Sequence, residues 1–587
     1  MAKTVRSKRV HADKGAPAER RLYLSAIADH FDPSRDLALG PWCFIGREDA
    51  VPDWENLPFI DAFEAPGELA AAVRGCAALL AHRLTLLADL LNRRHGTERS
   101  FAFWWTLGAR WMNHLISAAW RRWVHVGKFA AAHGDMVLTV PIDEDAETRV
   151  WDFADTLAFL KQGLLAERFD FWLWSLCALR QKPPRWTMVP VATDARAEIP
   201  IPEPPLRSNA FRRFLRRRLG RLPFTDVPGS SAGAIGFLSI ALAILPKHGT
   251  ATFRAEPRSE PPNSFPPEFL VLIDHLVAAT MPRSLSDDFA ARDAKAATCR
   301  YVPGRLYVNG SATVNDDANF QIAHAIEAGE RIVRVQHGSD YGTMAHVNIE
   351  ASSEYMNDAF LSWGWTEQDG RRGNFVPVPA PGMSSIRDRH RQRNDSIILT
   401  GTKMILRNYR VDHAPQPAAV VHYRRDKLAF VSSLDGAVRK NLVYRGYGRG
   451  ATELEDFGFV RRHAPDVGPC KGDLVSAMLG CRLLVLDHPG TTLNEAMAAN
   501  VPIVCFWEPA AWRLAPEATP YFEALTDARI LFGDGGSAAR HVNAVAGDVA
   551  QWWRFADVQQ ARKRWADRFA RTSSAWWWDW FKVLSKI

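Results

Sequence analysis

From Arg300 onward the sequence repeats one local pattern: a short β-branched run closes on Gly, Asn or Asp and passes into a helix-like stretch. This is the sequence form of βαβ units, and it commits that part of the chain to parallel sheets with helices on their faces. Residues 301–308, 331–335, 396–400, 442–445, 482–486 and 503–506 are the expected strands. Open α/β sheets bind ligands at the carboxyl ends of their strands, so the residues just after each run are where function is sought.

The earlier part of the chain reads differently. Leu69, Val73, Leu79, Leu80, Leu84, Leu87 and Leu91 recur at helical spacing, and a second helical stretch follows residues 92–96. Prolines crowd residues 183–267, which also hold an arginine cluster at 207–221, and this region reads as a connection. A chain of 587 residues exceeds the roughly 250–300 that one core sustains, so two lobes are expected. The charged stretch 388–395 lacks apolar periodicity and reads as the linker between them. The expected division is a basic N-terminal segment 1–20, a lobe with helical elaboration 21–393, and a nucleotide-binding lobe 394–587. No repeat of fixed period is present.

Composition narrows the class. With 47% hydrophobic and 24% charged residues the chain has enough apolar surface to fold throughout. The basic start meets His11, Ala12, Asp13 and Lys14 instead of an apolar core, so no secretory signal is expected. The longest apolar run, 232–246, is shorter than the roughly 20 residues of a membrane-crossing helix. A cytoplasmic protein without a transmembrane span is therefore expected. Seven cysteines are scattered without a CxxC pair, as reduced thiols are. The net charge of +8 suits anionic ligands, phosphates or lipid headgroups alike.

The strongest local signal lies at 482–500. An apolar strand ends at Asp487, His488, Pro489 and Gly490, and Thr491, Thr492 and Glu495 open a helix. Unpaired backbone N–H groups and positive dipole character at a helix start favour a phosphate, to which the threonine hydroxyls add donors. Gly490 permits close backbone approach, and Glu495 on the first turn can receive ribose hydroxyls. A plain capped helix in a structural βαβ unit would use some of the same residues. Arg445, ending the 442–445 run, offers a guanidinium fork for the donor phosphate. Gly446, Gly448 and Gly450 follow it without the spacing of a dinucleotide fingerprint.

A second set follows the 301–308 run: Asn309, Gly310 and Ser311, then Asp316 and Asp317 before a helix. Asn309 and Ser311 suit sugar hydroxyls, and either aspartate could deprotonate an acceptor or attack an anomeric carbon. Asp317 could equally be only a helix cap. The next run ends in Gln336 and His337, flanked by Gly338 and Gly342. His337 suits general base work near neutral pH, or a structural hydrogen bond, and Gln336 a sugar contact.

The segment from Asp487 to Ala496, continued by Asn500, Val501 and Pro502, resembles the donor-binding segment of GT-B glycosyltransferases. Its His-Pro pair is similar to that of bacterial sialyltransferases and Kdo transferases. Leu39-Gly40-Pro41-Trp42-Cys43, Val308-Asn309-Gly310-Ser311-Ala312-Thr313, Gln336-His337-Gly338, Ser362-Trp363-Gly364-Trp365 and Tyr521-Phe522 resemble a transferase family encoded with bacterial surface-polysaccharide genes. The resemblance implies an α/β fold, a GT-B-like pair of Rossmann-type lobes with a helix-rich N-terminal elaboration. It implies a CMP-activated acidic sugar as donor and a surface glycan or its lipid-linked precursor as acceptor. Gln-His-Gly also occurs in transferases that use CDP-glycerol, which leaves a CDP-alcohol or sugar-phosphate transferase as the alternative; a GT-B epimerase and a non-catalytic assembly partner are more distant ones. No metal and no cofactor are expected, because helix N-termini and arginine can offset the leaving phosphate's charge.

Three further signals carry less. Asp143, Glu144 and Asp145 form an Asp-x-Asp of the kind that binds a divalent metal, but the acidity runs on through Glu147 as in a solvated loop. Arg212, Arg213, Arg216, Arg217 and Arg218 alternate with Phe211, Phe214, Leu215 and Leu219, and Trp576, Trp577, Trp578, Trp580 and Phe581 cluster near the end. Both suit peripheral contact with an anionic membrane, or a solvated helix and core tryptophans. No nucleic-acid-binding motif accompanies the basic cluster, so nucleic acid is not an expected partner.

Overall fold

The computed structural model describes residues 20–28, 30–192, 224–225, 227, 229–310, 314–371, 374–402, 404–407, 409–447, 454 and 456–587, with 245–248 left out. The arginine cluster at 207–221 and Ser311 lie outside the described residues.

The N-terminal part is a helical layer. Helices Pro66–His95 and Phe101–Ala132 pack side by side, joined through Gly96 in the left-handed conformation, φ 62°. Ser100 caps the second helix by accepting a hydrogen bond from the Phe103 N–H. Gly67–His95 is long and apolar enough to cross a bilayer by length and composition; half of its apolar window is buried inside the protein. Helices Glu167–Gln181 and Pro267–Thr280 pack on the long pair. Arg122 and Asp170 form a buried ion pair between them, and Ser25 donates to the same carboxylate. Short strands β1 (Leu22–Tyr23) and β2 (Leu37–Ala38), and the parallel pair β3 (Leu138–Asp143) and β4 (Trp186–Val191), border this layer.

Two parallel sheets follow. The first joins β5 (Phe224–Thr225), β6 (Leu306–Asn309), β7 (Arg331–Val335), β8 (Ala359–Ser362) and β9 (Phe375–Pro377) in sequence order. The second contains β10 (Ile397–Thr400), β11 (Leu442–Arg445), β12 (Gly468–Pro469), β13 (Leu483–Leu486), β14 (Ile503–Phe506) and β15 (Leu531–Phe532). Its spatial order is β12-β11-β10-β13-β14-β15, the 3-2-1-4-5-6 order of a doubly wound sheet. Each expected strand from residue 301 on is present; β5, β8, β9, β12 and β15, all of four residues or fewer, were not expected. The fold is α/β.

At the centre of the second sheet β10 and β13 lie side by side, Ile397 opposite Leu483 and Thr400 opposite Leu486. The crossovers from β10 to β11 and from β13 to β14 lead away from them in opposite directions. The loops after Thr400 and Leu486 therefore part, and a crevice opens at the carboxyl end of the sheet.

Residues 388–395 are pinned along the second sheet's helices: Asp388 N–H donates to Ala498, His390 N–H to Ala499 and Arg393 N–H to Gly480. The last helix, Trp576–Leu584, returns to the first sheet. Trp580 and Leu584 are buried with Leu306, Val308, Val333 and Leu361, and Trp580 Nε1 donates to the Pro379 carbonyl at 2.8 Å. Chain beyond residue 394 thus serves both sheets. Trp577 and Trp578 stay about two-fifths exposed (39% and 41%), Trp577 against Phe237 of helix Ala232–Ile244, which also exposes Ile240.

Candidate functional site

A cavity of about 880 Å³ lies between the carboxyl ends of the two sheets. The first sheet contributes the loop after β7, with His337, Asp340 and Tyr341. The second contributes Thr400, Gly401 and Thr402 after β10, Tyr444 and Arg445 at the end of β11, and His488, Pro489, Gly490, Thr491 and Thr492 after β13. Glu350, Arg410 and Trp512 close the remaining walls.

The β13 segment builds one wall. Gly490 precedes helix Thr491–Ala499 in extended conformation without a side-chain cap, so the first N–H groups face outward unpaired by a side chain. A Cβ at Gly490 would stand 2.6 Å from His488 Nε2; only glycine leaves room for the imidazole folded over this position. His488 Nδ1 lies 2.9 Å from Asp487 Oδ1. Asp487 is buried and does not line the cavity. Its other oxygen accepts from Tyr423 at 2.9 Å and faces Lys427 Nζ at 3.2 Å. Burial opposes its ionisation, but the charges and hydrogen bonds of Lys427 and His488 win and hold its pKa below the usual carboxylate value.

Lys427 is fully buried beneath the cavity floor, where it also meets Asp456 and donates to Tyr444 at 2.8 Å. Tyr444 hydrogen-bonds Asp456 as well. Tyr423 in turn accepts from the Thr402 N–H at 3.0 Å. The loops after β10, β11 and β13 are thereby tied to one buried ammonium. At Gly401 a Cβ would collide with the Tyr444 hydroxyl, so this loop must carry glycine.

Arg445 lines the cavity while its Nη1 donates to the carbonyls of Cys470, 3.2 Å, and Gly472, 2.7 Å. Glu495 stands one turn beyond Thr491 on the same helix face, near Asp473. Burial, helped by the Asp473 charge, pushes its carboxyl up to about 7.

On the facing loop, His337 Nε2 lies 2.7 Å from the Tyr341 hydroxyl and 3.2 Å from Glu354 Oε1. Tyr341 also donates to Glu354 Oε2 at 2.8 Å. Burial by itself lowers the His337 pKa, but the Glu354 charge and hydrogen bond outweigh it and raise it above the ordinary imidazole value. Gln336 lies beneath the loop: its Oε1 accepts from the Trp363 N–H and Trp365 Nε1, and its Nε2 donates to the Gly338 carbonyl. It positions the loop and does not line the cavity.

Asp316 and Asp317, read from sequence as base or nucleophile, stand apart from the cavity. The first turn of helix Asp316–Glu327 is set against the N-terminal layer. There buried Asp316 accepts from the Thr156 N–H at 3.1 Å and from Ser284. Asp317 pairs with Arg292 and Lys295 at the surface. Asn315, not Asp317, is the cap, accepting from the Ala318 N–H. Asn309 is buried and donates to the Tyr307 hydroxyl at 3.2 Å, also away from the cavity wall. Asp143 and Asp145 both pair with Arg149.

Sequence reasoning passed over Asp340, Glu350, Arg410, Thr402, Tyr423 and Lys427. Asp340 carried a signal, a lone carboxylate between Gly338 and Gly342 after a strand. The others come from segments with no motif, brought in by packing.

Residues 20–584 match the family description "LIC12162 family transferase". The chain belongs to this transferase family. No curated protein matches it. The transferase is thus an enzyme that moves a chemical group, and its cavity of about 880 Å³ has polar loops from both sheets on its wall.

Proposed function

We propose that the transferase is a glycosyltransferase of GT-B-like, two-lobed form, with lobes at 21–393 and 394–587. It moves a CMP-activated acidic sugar onto a cell-surface glycan or its lipid-linked precursor. The observation that carries this reading is the cavity at the switch point of a 3-2-1-4-5-6 sheet, faced by a polar loop of a second parallel sheet. Its 880 Å³ fall within the roughly 300–1,000 Å³ of small-molecule and cofactor sites.

In this reading the donor phosphate sits at the N-terminus of helix Thr491–Ala499, met by its N–H groups, the hydroxyls of Thr491 and Thr492, His488 Nε2 and the Arg445 guanidinium. Glu495 receives ribose hydroxyls. The acceptor enters from the His337 loop. The negative charge that grows on the leaving phosphate meets preorganised donors, which favours the transition state over the ground state. The protein works in the cytoplasm. The exposed Trp577, Trp578, Phe237 and Ile240 support peripheral contact with an anionic membrane; unchanged vesicle sedimentation of a Trp577→Ala, Trp578→Ala variant would remove that contact.

The experiment is calorimetric binding of CMP, CDP, UDP and GDP to the wild type, His488→Ala and Glu495→Ala. Selective CMP binding, weakened in both variants, is expected. Selective CDP binding turns the reading to a CDP-alcohol transferase, and no binding by the folded wild type overturns the donor site.

A further inference from the structure

Among the described residues two carboxylates line the cavity, Glu350 and Asp340, and they are used in opposite ways. Glu350 is buried and held by Arg410 through two contacts, 2.6 and 3.2 Å, which hold its pKa down to about 2 against its burial. The acids behind the wall are engaged as well: Glu354 by His337 and Tyr341, Asp487 by Lys427, Tyr423 and His488, Asp456 by Lys427 and Tyr444. Of the two described carboxylates that line the cavity, Asp340 alone is not engaged. Its side chain is exposed to the cavity, and among the described residues it makes no hydrogen bond or ion pair.

Its backbone is fixed all the same. The Asp340 carbonyl accepts from the Thr343 N–H at 3.3 Å, the Met344 N–H at 3.0 Å and Gln368 Nε2 at 3.2 Å. Thr343 Oγ1 donates to the Ser339 carbonyl at 2.5 Å. Gly342, φ 80°, lies where a Cβ would stand 2.5 Å from the Trp365 ring. A carboxylate without a protein partner, on a backbone this firmly held, is presented to the cavity in a fixed place and is free to meet a ligand.

Resting on the glycosyl-transfer reading above, we propose that Asp340 is the general base of the reaction, receiving the acceptor's proton on the side of the cavity opposite the donor phosphate. As the acceptor O–H proton passes to the Asp340 carboxylate, the acceptor oxygen forms its bond to the anomeric carbon. The bond from that carbon to the donor phosphate oxygen breaks, and the electron pair leaves on the phosphate, which the helix N-terminus and His488 receive. His337, tied through Nε2 to Glu354 and Tyr341, shapes the acceptor pocket beside it.

The electrostatics agree. Enclosure by protein raises the Asp340 pKa above the ordinary carboxylate value; Glu350 adds to the rise, while Arg410, His488 and His337 oppose it. A base must be ionised, so turnover falls as pH drops through that raised value.

The test measures CMP release from CMP-N-acetylneuraminate and CMP-Kdo, with water as acceptor, alongside calorimetric CMP binding. Asp340→Asn should bind CMP as the wild type does, melt at the same temperature and release CMP roughly 100- to 10,000-fold more slowly, without the acidic limb of the pH profile. Formate should restore part of the rate to Asp340→Ala, an effect a merely structural role would not give. Undiminished release by Asp340→Asn overturns the proposal and leaves the donor site standing. A covalent sugar adduct on Asp340 overturns the base role, and a wild type that binds none of the nucleotides overturns the transferase reading and this proposal together.

Discussion

His488 and Asp487 are neighbours in sequence and partners in space, with imidazole Nδ1 2.9 Å from carboxylate Oδ1. The bond turns the ring so that Nε2 lies over Gly490, at the start of the helix whose N–H groups open to the cavity. A carboxylate behind an imidazole fixes the ring's orientation, and the second nitrogen donates to an anion only when the ring carries both protons. Asp487 is in turn braced by Lys427 and Tyr423.

Gly490→Ala tests that geometry. The backbone at Gly490, φ −118°, tolerates alanine, so the loss of stability should be only that of a poorer helix cap and a displaced imidazole, about 1–2 kcal/mol. The imidazole must move away from the new methyl, and nucleotide affinity should fall roughly tenfold or more, the value of a charge-assisted hydrogen bond. Calorimetry and thermal melts on the same preparation separate the two effects; unchanged affinity would show that His488 does not touch the ligand.

Lys427→Met should be severe. It leaves Asp487 and Asp456 facing each other's hydrogen-bond network without the buried ammonium between them, and removing one member of a buried ion cluster costs about 3–5 kcal/mol. A clear drop in the denaturant midpoint is expected, with loss of nucleotide binding even where the variant remains folded. A midpoint equal to the wild type's would mean that the network contributes nothing.

The His337 pair has a definite sign. A raised imidazole pKa stabilises the folded state below the unfolded histidine's value and loses that contribution as pH rises through the folded one. Glu354→Gln removes the opposing charge and leaves burial, so the His337 pKa should drop below the ordinary imidazole value. NMR titration of the His337 ring reads this directly, and a pKa that stays raised would refute the assignment to Glu354.

Glu495 runs the other way. Its carboxyl, pushed up to about 7, stays protonated in the folded state where an unfolded glutamate has ionised, so folding loses stability between the ordinary glutamate value and about pH 7. Ribose hydroxyls donate best to the ionised form. Nucleotide affinity should therefore rise from pH 6 to pH 8 in the wild type and lose that slope in Glu495→Gln, measured by calorimetry in buffers of matched ionic strength.

Much of this was legible along the chain. The strand ending at Leu486, the glycine before the helix and the threonines that open it are local choices: an apolar run closes, a small residue turns the chain and N–H groups are exposed within ten residues. The same holds for the loop after Val335. These segments announce a parallel α/β fold and one wall of the cavity because hydrophobic period and turn chemistry act over a few residues.

What the sequence could not rank was its acids. Asp316 and Asp317 follow a strand as plausibly as Asp340 does. Packing decides between them: Thr156 and Ser284 bury Asp316 against the N-terminal layer, Arg292 and Lys295 take Asp317, and the cavity receives Asp340. Lys427 likewise reaches Asp487 from 60 positions away in the chain. Local pattern by itself determined which segments become strands, turns and helix starts; only the tertiary structure decided which charges are neutralised and which are left facing the cavity, because a carboxylate's pairing depends on neighbours that no local pattern specifies.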